Sequence, residues 1–310
     1  ERQDEVHSGS FSWTTYDDPD IWIQAVSDLL IDLRRHLDED MKNIKSICVS
    51  GTSASCLIVD VDTQSVIRKP RMYDFDVSTL ATAKDVMILL SGWAPDLHTT
   101  QSPTSSLAKL LSWHMEEPLL NNHRICHQSD YVASKLIGRS MAADWHNVLK
   151  LGYDVQARAW PSWLESCLRE LGIDGVLPKS VVSPGETVYK VSKGSADAFG
   201  LSEDCMVVGG TTDSNAAFVA AAGKSLEIGT AVTSLGSTLA LKQLSTNYVE
   251  DSSMGIYSHR FPSVLIEEQH DLWLVGGASN VGCSVLRQQR FDNKELEELS
   301  KLIDPNVESS

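Results

Sequence analysis

An apolar run that stops at two glycines and continues as an alanine-rich segment is the feature that most restricts how this chain can fold. Met206 to Val208 are apolar, Gly209 and Gly210 follow, and the alanine-rich residues begin just after Asp213. This pattern predicts a buried strand, a tight turn and a helix. The turn therefore presents a carboxylate beside free backbone N–H groups at the start of a helix.

The chemistry that such a turn favours is the handling of a phosphoryl group. Backbone N–H groups at a helix N-terminus bind anions, and a carboxylate placed there can accept a hydroxyl proton. A second small polar loop, Gly236-Ser237-Thr238, follows downstream. Each loop alone also has a structural explanation, because aspartate is a common N-cap and Gly-Ser-Thr is common in hairpin turns. The two loops in succession favour a phosphate-handling cleft.

Three further motifs are less specific. The segment Gly276-Gly277-Ala278-Ser279-Asn280 is either a turn that approaches a nucleotide or a junction between a strand and a helix. Gly223-Lys224-Ser225 resembles the end of a P-loop, but Phe218 stands where the upstream glycine is required. His123, Cys126 and His127 lack a second pair of metal ligands. We therefore assign no metal ligands.

Composition excludes several classes of partner. The 310-residue chain has a formal net charge of -16, which repels nucleic acid and anionic lipid. Its apolar runs are too short to span a membrane. Six cysteines without a CxxC pair, and the absence of any Asn-x-Ser/Thr site, indicate a reducing, intracellular setting.

Alternating strand-like and helix-like segments predict an α/β protein with two units and a cleft between them, divided near residues 210 to 226. An amphipathic helix is expected after Pro19. Strands are expected at 44–50, 56–61 and 65–67, which we interpret as a small meander. Beyond Gly223 we expect strands at 226–228, 231–234, 239–244 and 272–275, and a last helix at 294–303.

The central motif, Gly209-Gly210-Thr211-Thr212-Asp213-Ser214-Asn215-Ala216-Ala217 followed by Ser234-Leu235-Gly236-Ser237-Thr238, resembles the FGGY family of carbohydrate kinases. Within that family the chain is most similar to the plant and cyanobacterial xylulose kinase-like D-ribulose kinases. Other segments follow in the family's order: Asp18–Trp22, Ile47–Ser53, Met72–Asp74, Lys109–Trp113 and His127–Tyr131. The resemblance implies two actin-like, ribonuclease-H-like domains that close on a sugar and Mg-ATP.

The resemblance also implies roles for individual residues. Asp213 is the base that takes the proton from the sugar hydroxyl, which then attacks the γ-phosphate. The residues implied to contact the sugar are Ser53, Asp74, Asp76 and Thr212. Those implied to bind the nucleotide or its phosphates are Gly210, Thr211, Gly236, Ser237, Thr238, Gly277 and Asn280. ATP and Mg²⁺ are the implied cofactors, a pentulose (D-ribulose or D-xylulose) is the implied substrate, and cytoplasm or plastid the implied location.

Two departures from the family pattern bear on domain organisation. The family's opening Asp-x-Gly-Thr/Ser loop has no counterpart after Glu1, and its distal adenine site has none before Ser310. We therefore expect both domains to be incomplete: a sugar-binding domain over residues 1–222 and the start of a nucleotide-binding domain over residues 226–310. An alternative to the kinase is a catalytically incomplete homologue that binds a sugar or regulates another protein. The sequence leaves the oligomeric state open.

Overall fold

The structure is a computed structural model that describes residues 5–13, 15–235, 239–262, 270–279 and 282–303. The helices of this described part are α1 (Pro19–Leu37), α2 (Ala83–Trp93), α3 (Ser106–Glu116), α4 (Gln128–Ile137), α5 (Ser162–Glu170), α6 (Lys193–Phe199), α7 (Asp213–Ala222), α8 (Ser284–Gln288) and α9 (Asn293–Ser300). Its strands are β1 (Ser46–Ile47), β2 (Ser50–Gly51), β3 (Cys56–Asp60), β4 (Val66–Arg71), β5 (His123–His127), β6 (Ala143–Asp144), β7 (Val181–Val182), β8 (Thr187–Lys190), β9 (Met206–Val208), β10 (Thr211–Thr212), β11 (Ala231–Leu235), β12 (Leu239–Ser245), β13 (Ile256–Phe261) and β14 (Leu272–Ser279).

The first helix shows how local sequence signals set an element's limits. Asp18 caps α1 by accepting a hydrogen bond from the Asp20 amide at 3.0 Å, and Pro19 begins the helix. Trp22 and Ala25 are buried on its inner face. The helix expected after Pro19 is thus present.

A parallel pairing between two distant segments lies at the centre of the first unit. β1 runs parallel to β9 and β2 runs parallel to β10, with Gly51 opposite Thr212. β3 instead lies between β4 and β5 in a separate antiparallel sheet. Of the meander expected at 44–67, the antiparallel pairing of the second and third strands is confirmed, but the first strand is wrong because its residues pair with β9 and β10. Apolar periodicity identifies strands but does not choose their partners.

The last part of the chain forms an antiparallel sheet in the order β11-β12-β14-β13. Residues 226–228, which were expected to be a strand, lie outside the strands and in part form a turn. α9 covers Asn293–Ser300 with a capping box between Asp292 and Glu295, so the last helix is shorter than expected. The strand signals of β5, β8 and β13 were too weak to be recognised in the sequence.

Contacts across α7 join this sheet to the first unit. Phe218 and Ala222 of α7 pack with apolar side chains of the sheet: Leu244, Phe261, Leu272 and Leu274. Arg260 on β13 donates a hydrogen bond to the Val155 carbonyl at 3.0 Å. One face of α7 is thus covered by the sheet, while its N-terminus points to the first unit. No described helix has the length and hydropathy of a membrane span.

Candidate functional site

Asp213 is the first residue of α7 and its side chain is exposed. The N-cap position belongs to Thr212, whose buried side chain makes no capping bond. Asp213 Oδ1 accepts one local hydrogen bond, from the Ser214 amide at 2.7 Å. N-capping therefore does not explain the aspartate, and its carboxylate is available at the surface of the turn.

The two glycines before this turn allow close packing of the backbone. A Cβ on Gly209 would collide with the Ser183 carbonyl oxygen, and a Cβ on Gly210 would lie 2.7 Å from the Val49 carbonyl oxygen. Gly210 is buried, so its glycine character is explained by the contact between the turn and the β1–β2 segment. Phosphate binding by Gly210 stays a prediction.

The buried His146 forms a hydrogen bond with the turn. Its Nε2 lies 2.8 Å from the Arg260 carbonyl oxygen, and its Nδ1 lies 2.8 Å from Thr211 Oγ1. Because a carbonyl only accepts, Nε2 carries the proton and Nδ1 accepts from the threonine. Burial lowers the pKa of His146 to about 3, so the ring is neutral. The Thr211 hydroxyl is thereby engaged inside the protein, and a nucleotide contact by Thr211 stays a prediction.

A buried carboxylate, Asp144, completes this support. Its Oδ1 accepts hydrogen bonds from the backbone amides of His146 at 2.9 Å and Asn147 at 3.0 Å. Burial, and then the nearby Asp130, raise the pKa of Asp144 to about 6. A Cβ on Gly210 would lie 3.2 Å from Asp144 Oδ2. These side chains hold the turn and do not reach its outer surface.

A cavity of about 600 Å³, here called the α1 cavity, opens beside Asp213. Its polar lining residues come from β2, the loops after β2 and β4, and the first residues of α4 and α7: Ser50, Thr52, Tyr73, Asp74, Gln128 and Asp213. Its apolar wall comes mainly from α1, together with Trp13, Val49, Met72 and Val132. Asp74 and Asp213, which are distant in the sequence, thus line one space large enough for a small polar ligand.

The loop that follows β2 is held by a buried lysine. Lys109 Nζ donates to the Ala54 carbonyl at 2.9 Å and to the Met72 carbonyl at 2.6 Å. Burial lowers the pKa of Lys109 to about 8. Tyr73, which follows Met72, donates its amide at 2.9 Å to Oγ of Ser55, which follows Ala54. Lys109 therefore connects the two loops that carry the polar side of the α1 cavity.

Not all of the expected sugar contacts reach this cavity. Ser53 is half-buried in the loop and Asp76 caps the short 77–79 turn, accepting from the Ser78 amide at 2.8 Å. Neither residue lines the α1 cavity, and Thr212 does not line it either. Sugar contacts by these three residues stay predictions. Sequence reasoning missed Gln128, whose Oε1 accepts from the Thr52 amide at 3.0 Å.

A second cavity of about 350 Å³, here called the β12 cavity, lies on the other side of Asp213. It is lined by Asp213, Ser214, Ala217, Phe218, Val232, Ser234, Ala240 and Lys242. Lys242 was missed in the sequence, although strand alternation puts it on the same face as the buried Leu244. Asp213 is the residue that the two cavities share.

For the other residues expected to contact the nucleotide, the structure gives a position only for Gly277. Gly236, Ser237, Thr238 and Asn280 lie outside the described residues. Gly277 lies within β14, opposite Leu241 on one side and Ile256 on the other. It therefore belongs neither to a turn nor to a strand-to-helix junction, and its nucleotide contact stays a prediction. In the described ranges, no cluster of three or more His, Cys, Asp or Glu side chains could hold a metal ion.

Comparisons with known proteins agree with this architecture. Residues 2–220 match the profile of the FGGY family of carbohydrate kinases, N-terminal domain. Among solved structures, the chain is similar to a xyloylose kinase from Brucella ovis, with 20% identity and a TM-score of 0.77 over 94% of this chain and 58% of that one. It is also similar to the xylulose kinase from Rhodospirillum rubrum, with 19% identity and a TM-score of 0.73 over 96% and 61%.

A third similar structure is the glycerol kinase from Plasmodium falciparum with ADP, with 16% identity and a TM-score of 0.72 over 92% of this chain and 58% of that one. At these identities the likeness is one of fold, and the α/β fold expected of the family is confirmed. The chain spans 58 to 61% of the length of these three proteins.

Proposed function

Because the chain belongs to the FGGY family of carbohydrate kinases, we propose that it transfers the γ-phosphoryl group of ATP to a hydroxyl group of a sugar. The observation that carries this proposal is the position of Asp213, which lines both the α1 cavity and the β12 cavity. A general base must lie within hydrogen-bond reach of the hydroxyl proton that it accepts, and that hydroxyl must in turn approach the phosphoryl group of the second substrate. A carboxylate that lines two neighbouring cavities suits both requirements.

In this proposal the sugar binds in the α1 cavity and the ATP phosphates enter the β12 cavity. Asp213 accepts the proton of the sugar hydroxyl, and the oxygen then attacks the γ-phosphorus while the bond to the β-phosphate oxygen breaks. Asp74, Thr52 and Gln128 supply hydrogen-bonding groups that orient the sugar. The chain's contribution is then positioning and the acceptance of one proton.

When bound together with ATP, Mg²⁺ would offset the negative charge of the nucleotide phosphates. This ion commonly binds through one or two carboxylates together with substrate phosphates. Among the described residues that line the β12 cavity, Asp213 is the carboxylate, and in this proposal it acts as the base while the metal is held mainly by the phosphates.

We further propose a pentulose as the acceptor, D-ribulose ahead of D-xylulose, following the resemblance to the D-ribulose kinase subgroup. Xylulose kinases among the similar structures support a ketopentose. We also propose residues 1–222 as the sugar-binding domain and residues 226–310 as the start of the nucleotide-binding domain.

The experiment is a measurement of ADP release by the full-length protein over D-ribulose, D-xylulose, D-gluconate and glycerol, each compared with ATP alone. We expect a pentulose to give the highest kcat/KM. Asp213→Asn should lower kcat by about 10² to 10⁴, the usual range for a general base, with little change in KM for the sugar. Asp197→Asn, an exposed aspartate of α6, is the matched control. Release of ADP with no sugar dependence, or full activity of Asp213→Asn, would contradict the proposal.

A further inference from the structure

We propose that Lys242 supplies the positive charge for a phosphoryl group in the β12 cavity, the space that the proposed function gives to the ATP phosphates. This inference rests on the proposed function only for the identity of the anion as the transferred phosphoryl group. The presence of an anion site follows from the geometry around Lys242.

The first observation is that a lysine side chain is buried in the lining of a cavity. Lys242 is 9% exposed, and Ser214 and Ser234 are among the other residues that line the β12 cavity. A buried ammonium group is costly unless an opposite charge or hydrogen bonds compensate it. In the described part of the chain, Lys242 forms no salt bridge with a carboxylate.

The second observation is that the side chain is held in place. Lys242 Nζ donates a hydrogen bond to Asn215 Oδ1, two residues after Asp213 in α7. Opposite Lys242 on β14 stands Gly276, where a Cβ would lie 2.8 Å from Lys242 Cγ. The glycine therefore leaves the space that the lysine stem occupies. A solvent-exposed lysine side chain would have neither this hydrogen bond nor this close packing against a neighbouring strand.

The charges around Lys242 explain why an anion would complete the site. Lys242 interacts electrostatically with the charged or titratable side chains of Asp213, Lys150, His146 and His259. Burial lowers the pKa of Lys242 to about 7, which Asp213 partly opposes and Lys150 reinforces. A bound phosphoryl group would raise this pKa, because an opposite charge favours the ammonium form.

The chemical class of the ligand follows from the donors. The residues that line this space of about 350 Å³ include one lysine and two serines, whose side chains can donate hydrogen bonds, and the oxygens of a phosphoryl group accept several such bonds. In a chain with a formal net charge of -16, long-range attraction will not gather phosphate, so a local cation is needed. Lys224, in the segment that resembles the end of a P-loop, is exposed and is not among the described residues that line the cavity.

The test compares two lysines in the full-length protein with inorganic phosphate as the probe. We expect wild-type protein to bind phosphate in calorimetric titration, Lys242→Met to weaken that binding at least tenfold, and Lys224→Met to leave it within twofold. Lys242→Gln, which is polar but uncharged, should behave as Lys242→Met does. Equal phosphate affinity in the wild type and Lys242→Met, or loss of binding in Lys224→Met alone, would overturn the inference.

A second measurement does not depend on the folding of a variant. In wild-type protein with isotope-labelled lysine, NMR titration of the Lys242 Cε signal should give a pKa at least one unit higher with saturating phosphate than without it. An unchanged value would overturn the inference. If phosphate binding depends on Lys242 while no sugar is phosphorylated, the anion site stands and the proposed kinase activity fails. If a pentulose is phosphorylated while Lys242→Met retains wild-type phosphate binding and KM for ATP, the proposed kinase activity stands and the role of Lys242 fails.

Discussion

The stem of Lys242 occupies the space that a side chain on Gly276 would fill, with 2.8 Å between Lys242 Cγ and an ideal Cβ on the glycine. The two residues face each other on neighbouring antiparallel strands, β12 and β14. The same Cβ would lie 2.7 Å from the Leu241 carbonyl oxygen. A side chain on Gly276 would therefore disturb both the sheet backbone and the lysine.

Gly276→Ala should destabilise the protein by about 1–3 kcal/mol, the usual cost of overpacking a closely packed site. Urea unfolding measures this, and we expect phosphate affinity to fall in the same variant because Lys242 is displaced. The control is Gly92→Ala in α2, where a Cβ would meet nothing within 4 Å. There the free energy of unfolding should rise by about 0.5–1 kcal/mol. Equal stabilities of the two variants would contradict the prediction.

Lys109→Met should affect sugar binding more than catalysis. The variant leaves the carbonyl groups of Ala54 and Met72 without their buried donor, at a cost of about 1–3 kcal/mol for each unsatisfied group. Because those carbonyls belong to the loops beside the α1 cavity, we expect KM for the sugar to rise about tenfold, roughly 1.4 kcal/mol, with a smaller change in kcat. Lys84→Met, at an exposed position of α2, is the control. A fall in kcat alone would indicate a different role for Lys109.

Asp74 should contribute to ligand binding, whereas Asp76 should contribute to the stability of the fold. Asp74 lines the α1 cavity, so Asp74→Asn should raise KM for the sugar about tenfold through a lost charge-assisted hydrogen bond. Asp76 caps the 77–79 turn, so Asp76→Ala should lower the free energy of unfolding by about 1 kcal/mol and keep KM within about twofold. Steady-state kinetics and thermal unfolding of both variants measure this. An increase in KM for Asp76→Ala alone would reverse the assignment.

His146 should make stability fall as the pH is lowered. Its pKa is about 3 in the folded chain and about 6.5 when unfolded, so between these values only the unfolded state binds the proton. Its contribution is complete above the unfolded pKa and is lost progressively as the pH falls toward the folded pKa. From pH 7.5 to 5.5 the loss is about 1.4 kcal/mol.

His146→Gln removes this titration and keeps an amide donor for the Arg260 carbonyl. The difference between the wild-type and variant free energies of unfolding should therefore shrink by about 1.4 kcal/mol over the same pH interval. Urea unfolding at both pH values measures it. A difference that does not change with pH would show that the ring has the same pKa in the folded and unfolded states.

Local sequence signals were sufficient for the elements nearest the candidate site. The glycine pair and the alanine-rich residues after it specify the turn and α7, because backbone conformation and helix propensity act over a few residues. The charge of -16, the central motif and the family resemblance likewise needed no structure. The position of Asp213 at a helix start is thus a property of the sequence.

What Asp213 faces was decided by tertiary structure. Pairing of β2 with β10 brings Thr52 beside the turn that carries Asp213, and Asp74, which follows β4, lines the same cavity. The paired residues of β2 and β10 are more than 100 positions apart in the sequence. Packing of the last sheet on α7 buries Lys242 beside it. Spacing along the chain indicated which residues form strands and helices, while burial and cavity lining arose from long-range packing that no local pattern encodes.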